Sequence, residues 1–258
     1  MKYTSMIPVP QTPKYTAIAQ DHGKFEIPGC YPGYGATLGN ALRRVLLSSL
    51  DGSAAQTVKI KGASHEFSTL PGVMEDVVQI LLNLKQIRFR LHEDETVKVT
   101  LKAKGDGEVK AGDIKVSSSI EVVNPELHIA TLTDKKAELE IEIEVGKGIG
   151  YVPIEARERE EREIGVIAID SIYTPVRRVN YEVENMRVGK RTDYDKITLE
   201  VITDGTLTPA AAFAKAVAIL SEQFAAIATE VPAETEEQPK KKVSKKKAAV
   251  AEEAVAAE

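Results

Sequence analysis

Gly33-Tyr34-Gly35-Ala36-Thr37-Leu38-Gly39-Asn40-Ala41-Leu42-Arg43-Arg44-Val45-Leu46-Leu47-Ser48-Ser49-Leu50 decides how the rest of this chain is read. After a glycine-rich turn, Leu38, Ala41, Leu42, Val45, Leu46 and Leu50 recur at the spacing of one helical face. Arg43 and Arg44 sit about 100° apart on such a helix, so at least one of them is offered to something other than the core. Thr37 is placed to cap the start, and Asp51-Gly52 reads as the stop. A surface helix with two solvated arginines fits the same periodicity.

Outward from this helix the chain is rich in strands. Upstream lies the short piece Lys24-Phe25-Glu26-Ile27 among scattered prolines and glycines. Downstream, Gln56-Thr57-Val58-Lys59-Ile60-Lys61 alternates with period two. A second helix is predicted with Val73, Val77, Ile80, Leu81 and Leu84 on one face. Val97 to Lys102 and Ala137 to Val145 alternate strictly, which buries one face and leaves the glutamates as a solvated row, not as paired catalytic acids. The alternating-sign run from Ala156 to Glu163 reads as an exposed loop or short helix. Further strands are predicted at Gly165–Ile169, Asn180–Val183 and Lys196–Ile202. A last helix opens at Thr208-Pro209, with a cap followed by proline in the first turn. It directs Phe213, Ala216, Val217, Leu220, Phe224 and Ile227 inward and stops before Pro232. Residues 232–258 carry no aromatic residue, and their six lysines balance six glutamates, the composition of a disordered tail.

Length and composition bound the function. With 258 residues, 43% of them hydrophobic, the chain can hold one large or two smaller cores. One cysteine, Cys30, excludes an intrachain disulfide, and no Cys/His cluster has metal-ligand spacing among four histidines. No secretory leader is evident and no stretch is expected to approach a membrane span, so the expected compartment is the cytoplasm. A formal net charge of −5 argues against a surface that coats nucleic acid. Gly148-Ile149-Gly150 follows a strand, the one hint of a nucleotide-binding enzyme, yet the third glycine is missing and Pro153 falls where a phosphate-binding helix would run. A tight turn is expected there. No cofactor, metal or catalytic residue is called.

The opening stretch closely resembles the signature helix of the bacterial DNA-directed RNA polymerase alpha-subunit family. Further motifs resemble that family in order: His65-Glu66-Phe67-Ser68-Thr69 with Glu75-Asp76 and Ile80 to Lys85; Gly148 to Pro153; Tyr173 to Val179; Arg191 to Ile197; Asp204 to Pro209. The similarity spans roughly residues 14–230. Pro28-Gly29-Cys30-Tyr31-Pro32 departs from the family's acidic, leucine-bearing lead-in, and residues 232–258 are too few for its separate DNA-binding domain.

The resemblance implies an α+β fold in two parts. A dimerisation part, 1–52 with 178–231, carries two long helices on a mainly antiparallel sheet, and a β-rich insert spans 53–177. It implies a non-catalytic subunit that pairs with itself and gathers the beta and beta-prime subunits, touching DNA only indirectly or weakly through the lysine-rich tail and no membrane. The expected dimer contact is Leu38, Ala41, Leu42, Val45, Leu46, Phe213, Val217, Leu220 and Phe224. The expected beta and beta-prime contact is Asn40, Arg43, Arg44, Glu66, Ser68, Thr69, Lys85, Gly148, Tyr151, Arg177 and Arg178. An archaeal-type subunit that pairs with a different small partner is the alternative.

Overall fold

A computed structural model of the chain describes residues 7–157 and 165–230. Lys14–Ala17 (β1) and His22–Cys30 (β2) precede Tyr34–Ser48 (α1), and Asp51–Ile60 (β3) follows. Val77–Leu84 (α2) leads to Phe89–Leu91 (β4), Val97–Lys104 (β5), Gly107–Lys110 (β6), Ile114–Lys115 (β7), Ile120–Val122 (β8) and His128–Leu132 (β9). Glu138–Ile149 (β10) gives way to Tyr151–Val152 (β11), a 3-10 turn at Ile154–Arg157, Val166–Ala168 (β12) and Ser171–Ile172 (β13). Val176–Val188 (β14) and Arg191–Thr203 (β15) form a long hairpin before Pro209–Glu230 (α3). The sequence motifs of the last part of the run from Ala156 to Glu163, and of 232–258, lie outside the described residues.

An antiparallel sheet in the order β1-β2-β15-β14 draws the two ends of the sequence together, with Phe25 opposite Leu199 and Ile27 opposite Ile197. Helix α1 packs on β14 and β15. Leu46, Leu50, Phe25, Val179, Leu199, Val201, Ala212 and Ala216 close a core between helices and sheet. The close approach depends on glycine: a Cβ at Gly39 would meet the Tyr181 ring at 2.6 Å. Phe213 of α3 stacks on Phe25, ring centroids 4.4 Å apart, a contact worth about 0.5–1.5 kcal/mol beyond the area it buries.

The second sheet runs β7-β5-β10-β3-β4-β8, with β12 added on β3. Strand β10 is its spine. Leu139, Ile141, Ile143 and Val145 are buried, while Glu138, Glu140, Glu142 and Glu144 occupy the other face. There Glu138 meets Lys104 at 2.6 Å and Glu140 meets Lys61 at 3.2 Å and also Lys102, so the row is an ion-paired outer face. Val77, Ile80, Leu81 and Leu84 of α2 pack on the core of this sheet, each burial worth about 1.5–3 kcal/mol.

Several sequence expectations need correction. Thr37 is exposed inside α1, which begins earlier, behind Gly33 at φ 84°. The buried Asp195 carboxylate does the capping from β15, accepting from the Gly33 and Gly35 N–H groups at 2.9 Å each. Asp51-Gly52 begins β3, and α1 ends before it at Ser48. Val73 precedes α2 and bridges to Leu132. The atypical lead-in forms the end of β2, where Cys30 is buried and Tyr31 sits edge-on to Tyr34 and Tyr194. Thr208 does cap α3, its Oγ1 accepting from the Ala211 N–H at 3.3 Å, with Pro209 first in the helix. Residues Pro209–Ala228 are, by length and composition, long and apolar enough to cross a bilayer, contrary to expectation. The helix is anchored to β2 through Phe25 and to β3 through the Lys215–Asp51 ion pair at 2.8 Å.

By packing, the chain divides into Met1–Glu222 and Gln223–Glu258. In the second unit, Phe224 and Ile227 are 65% and 62% exposed.

Candidate functional site

The residues singled out from sequence fall into two groupings. On α1, Asn40, Arg43 and Arg44 are exposed, and on β14 so are Arg177 and Arg178. Arg43 Nε donates to the Val179 carbonyl of β14 at 3.1 Å, and Arg178 on the same strand lies 3.7 Å from Glu200. Arg43 therefore fastens α1 to the sheet as well as facing outward, and Arg44 is exposed beside it.

The second grouping surrounds an open groove of about 440 Å³ beside α2. Its walls include His65, Glu66, Phe67, Leu82, Lys85 and Asp170. Phe67 is 77% and Leu82 50% exposed, so apolar surface is presented to solvent here without any need of the core. The lead-in loop is fixed locally: the Ser68 carbonyl accepts the Val77 N–H at 3.3 Å, and Ser68 Oγ lies 3.3 Å from His65 Nδ1. Thr69 is exposed. Glu75 anchors the same loop to β9, accepting from the Thr131 N–H at 2.7 Å and the Thr131 hydroxyl at 3.0 Å, with His128 Nε2 at 3.0 Å. Burial pushes the Glu75 carboxyl up, but those bonds together hold it below the usual carboxylate range.

Lys85, which lines this groove at the end of α2, faces Tyr151 of β11. Lys85 Nζ lies 5.7 Å from the Tyr151 ring centroid and 2.8 Å from Asp170 Oδ2. Gly148 is not part of the groove. A Cβ there would meet the Tyr173 ring at 2.6 Å, and Gly150, at φ 69°, offers its carbonyl to the Tyr173 N–H at 2.8 Å. Both glycines thus let Tyr173 close over the strand end, and the turn holds a side chain, not a phosphate.

Of the residues expected at the dimer contact, Leu42 and Leu46 are 7% and 0% exposed. Their side chains pack in the chain's own cores. Leu38, Ala41, Val45, Phe213 and Leu220 are half-buried, and Val217 is exposed.

Sequence reasoning gave no role to Asp170, Asp195 or Arg157, although Asp195 lies in the Arg191 to Ile197 motif. Arg157 ends the 3-10 turn and donates through Nη2 to the Ile169 carbonyl at 2.9 Å and Ser171 Oγ at 2.8 Å, while Ser171 Oγ donates to the Ala55 carbonyl at 2.6 Å. No periodicity or near-neighbour rule marks them: Asp195 caps a helix 160 positions upstream, and Asp170 and Arg157 tie together short elements too brief to show a pattern. Among the described residues no group of three or more His, Cys, Asp or Glu side chains is placed to hold a metal.

Fold and site together define an α+β protein whose distinctive surfaces are an open groove and exposed helix faces. The RNA polymerase Rpb3/RpoA insert domain family matches residues 58–174. The chain is 51% identical over 209 residues to the DNA-directed RNA polymerase subunit alpha of Symbiobacterium thermophilum, covering 80% of this chain and 66% of that one. It is 48% identical to the subunit alpha of Desulforamulus reducens (83% and 69% covered) and 49% identical to that of Clostridium kluyveri (86% and 73%). This chain belongs to the bacterial DNA-directed RNA polymerase alpha-subunit family. It spans about two thirds of the length of the curated relatives it matches: 66%, 69% and 73%.

Proposed function

We propose that this chain is a non-catalytic assembly subunit of a bacterial-type DNA-directed RNA polymerase, which pairs with a second copy and then gathers the beta and beta-prime subunits in the cytoplasm. The observation that carries the pairing is the state of α3. One side of it is committed to the sheet through Ala212, Ala216 and Phe213, yet Val217 remains exposed, as do Phe224 and Ile227 further on. A second copy of the same apolar stripe, brought up across a twofold axis, is the simplest cover. Half-buried Leu38, Ala41, Val45 and Leu220 extend the contact; Leu42 and Leu46 support it from within.

The division into a dimerisation part, 1–52 with 178–231, and an insert, 53–177, is supported by the sheets. Strands β1, β2, β14 and β15 share the core that receives α1 and α3, whereas β3 to β5, β7, β8, β10 and β12 build the other sheet. On this reading α1 and α3 are the two helices of the dimerisation part. Large-subunit capture is assigned to the surfaces around Asn40, Arg43 and Arg44, around Arg177 and Arg178, and around Glu66, Ser68, Thr69, Lys85 and Tyr151. Arginine suits such a surface because its planar group binds carboxylates and carbonyls through several donors at once. Gly148 serves by letting Tyr173 set the turn that carries Tyr151. The test is capture of purified beta and beta-prime by the full-length chain and by Arg44→Ala. Weakened capture with the fold intact supports the reading, and undiminished capture removes Arg44 from it.

A further inference from the structure

Arg88 immediately precedes β4, and neither the sequence motifs nor the family match gives it a role. Its side chain is only 17% exposed, and Nε is buried with no hydrogen-bond partner among the described residues. The carboxylate that faces it, Asp204 Oδ2, stands 3.6 Å from Nε, outside hydrogen-bonding distance. Asp204 is itself 4% exposed, and its Oδ1 accepts from the Thr206 N–H at 3.0 Å and the Thr206 hydroxyl at 2.5 Å. Arg90, two positions further along, is by contrast answered within its own chain, by Glu121 at 2.8 Å and by the Thr206 carbonyl at 3.0 Å. A second unanswered arginine stands nearby. The Asp204 N–H donates to the Pro175 carbonyl at 2.9 Å, and just beyond it the β14–β15 ladder slips between Val176 and Arg178, which leaves Arg177 as an exposed bulge residue. Burial pushes the Arg88 guanidinium below its ordinary range; Asp204 opposes this, and the Arg177 charge adds to it. Two guanidinium groups therefore share one carboxylate. A recessed donor without an acceptor, beside a surplus of one positive charge, is costly in the free chain and is offset by one carboxylate from outside.

We propose that Arg88 and Arg177 form a recessed carboxylate-binding site that takes a single Asp or Glu side chain of a large polymerase subunit, with Asp204 holding Arg88 in place. The proposal rests on the assembly reading above and gives the start of β14 a definite chemistry. An acid entering there meets one planar multi-donor group that is already desolvated and a second that is free on the surface, so the contact rewards charge complementarity and geometry together.

A double-mutant cycle on the full-length chain tests this, with affinity for purified beta and for purified beta-prime as the readout. Arg88→Lys keeps a positive charge for Asp204 and removes the planar fork, while Arg177→Ala removes an exposed side chain. Thermal melting of each variant checks that the fold persists, and Arg177→Ala carries the test alone should Arg88→Lys unfold. Each single change is expected to weaken capture of the same large subunit by about tenfold, the size of one lost hydrogen bond to a charged group. The double variant is expected to lose less than the product of the two, because both arginines hold one acid. The fall of that affinity with added salt is expected to become shallower in each variant, which a purely structural role would not produce. Wild-type capture by a folded single variant, losses on different subunits, or losses that multiply in the double variant would overturn the proposal while leaving the assembly reading in place. Saturable binding of inorganic phosphate to the free chain, abolished by Arg88→Lys, would reveal a free-anion site and overturn it as well. A wild-type chain that captures neither large subunit overturns the assembly reading itself and this proposal with it.

Discussion

Asp195 shows how a residue far away in sequence can set the start of a helix. Its carboxylate satisfies two N–H groups at the head of α1, the place where orphan donors and the helix dipole both favour negative charge. Asp195→Ala should therefore lower stability by about 1–2 kcal/mol in chemical denaturation, with Asp195→Asn costing less because an acceptor remains. The sequence pointed to Thr37 for this task because capping rules look only at near neighbours, and a cap that comes from another strand leaves no local trace. The glycines were more legible as a group than as individuals. Gly52 is the strictest, since a Cβ there would fall 1.8 Å from the Tyr173 carbonyl oxygen, and Gly52→Ala should cost about 3 kcal/mol or more, as backbone must shift to admit it. Asp170 adds a pH dependence. The Lys85 ammonium holds its carboxyl below the usual range, with help from the Ile154 N–H and Tyr151 and against the opposing effect of burial. A carboxyl whose value is lower when folded binds fewer protons folded than unfolded between the two values. Its stabilisation is then complete above the unfolded value of about 4 and disappears as pH falls through the folded one. Denaturation from pH 7 down to pH 3 should show a smaller loss of stability for Asp170→Asn than for the wild-type chain.

At the scale of elements, periodicity was readable wherever a strand buries one face over many residues. Leu139, Ile141, Ile143 and Val145 of β10 are all interior, and the glutamates between them are outside as the alternation demands. Strands β4, β7, β8, β11 and β13 span two or three residues each, too few to show a period, and none was anticipated. Helix α3 was found but its burial was misjudged. Its apolar residues were all directed inward by the pattern, whereas Ala212 and Ala216 are buried and Val217, Phe224 and Ile227 are exposed, because periodicity reports an apolar stripe without saying which molecule covers it. Phe224→Asp should consequently abolish pairing in sedimentation at micromolar concentration while changing the stability of the isolated chain by less than about 0.5 kcal/mol. Phe213→Ala should do the reverse at the level of the fold, losing about 2–3 kcal/mol with the stacked Phe25 contact.

Across the whole of Met1–Glu222, topology was the least legible feature, since nothing local announces that β2 will pair with β15 some 170 positions later. The resemblance carried that part of the reading. What fastens the two sheets was not visible in either. Arg90 of β4 donates to the Thr206 carbonyl through Nε and to the Gly205 carbonyl through Nη2, both at 3.0 Å, and Arg88 lies 3.6 Å from the nearly buried Asp204. Asp204 also takes the Thr206 N–H at 3.0 Å, so the Asp204 to Pro209 motif sets both the start of α3 and the joint to the second sheet. Asp204→Asn, which leaves the Arg88 guanidinium without a facing carboxylate, should cost about 3 kcal/mol in denaturant melts. The central claim, that this molecule is a self-pairing scaffold for larger subunits, is tested most directly by native mass spectrometry of the purified full-length chain, alone and mixed with the beta subunit. The account predicts a dimer alone and a dimer bound to one beta subunit in the mixture; a monomer at micromolar concentration that leaves beta unbound would contradict it.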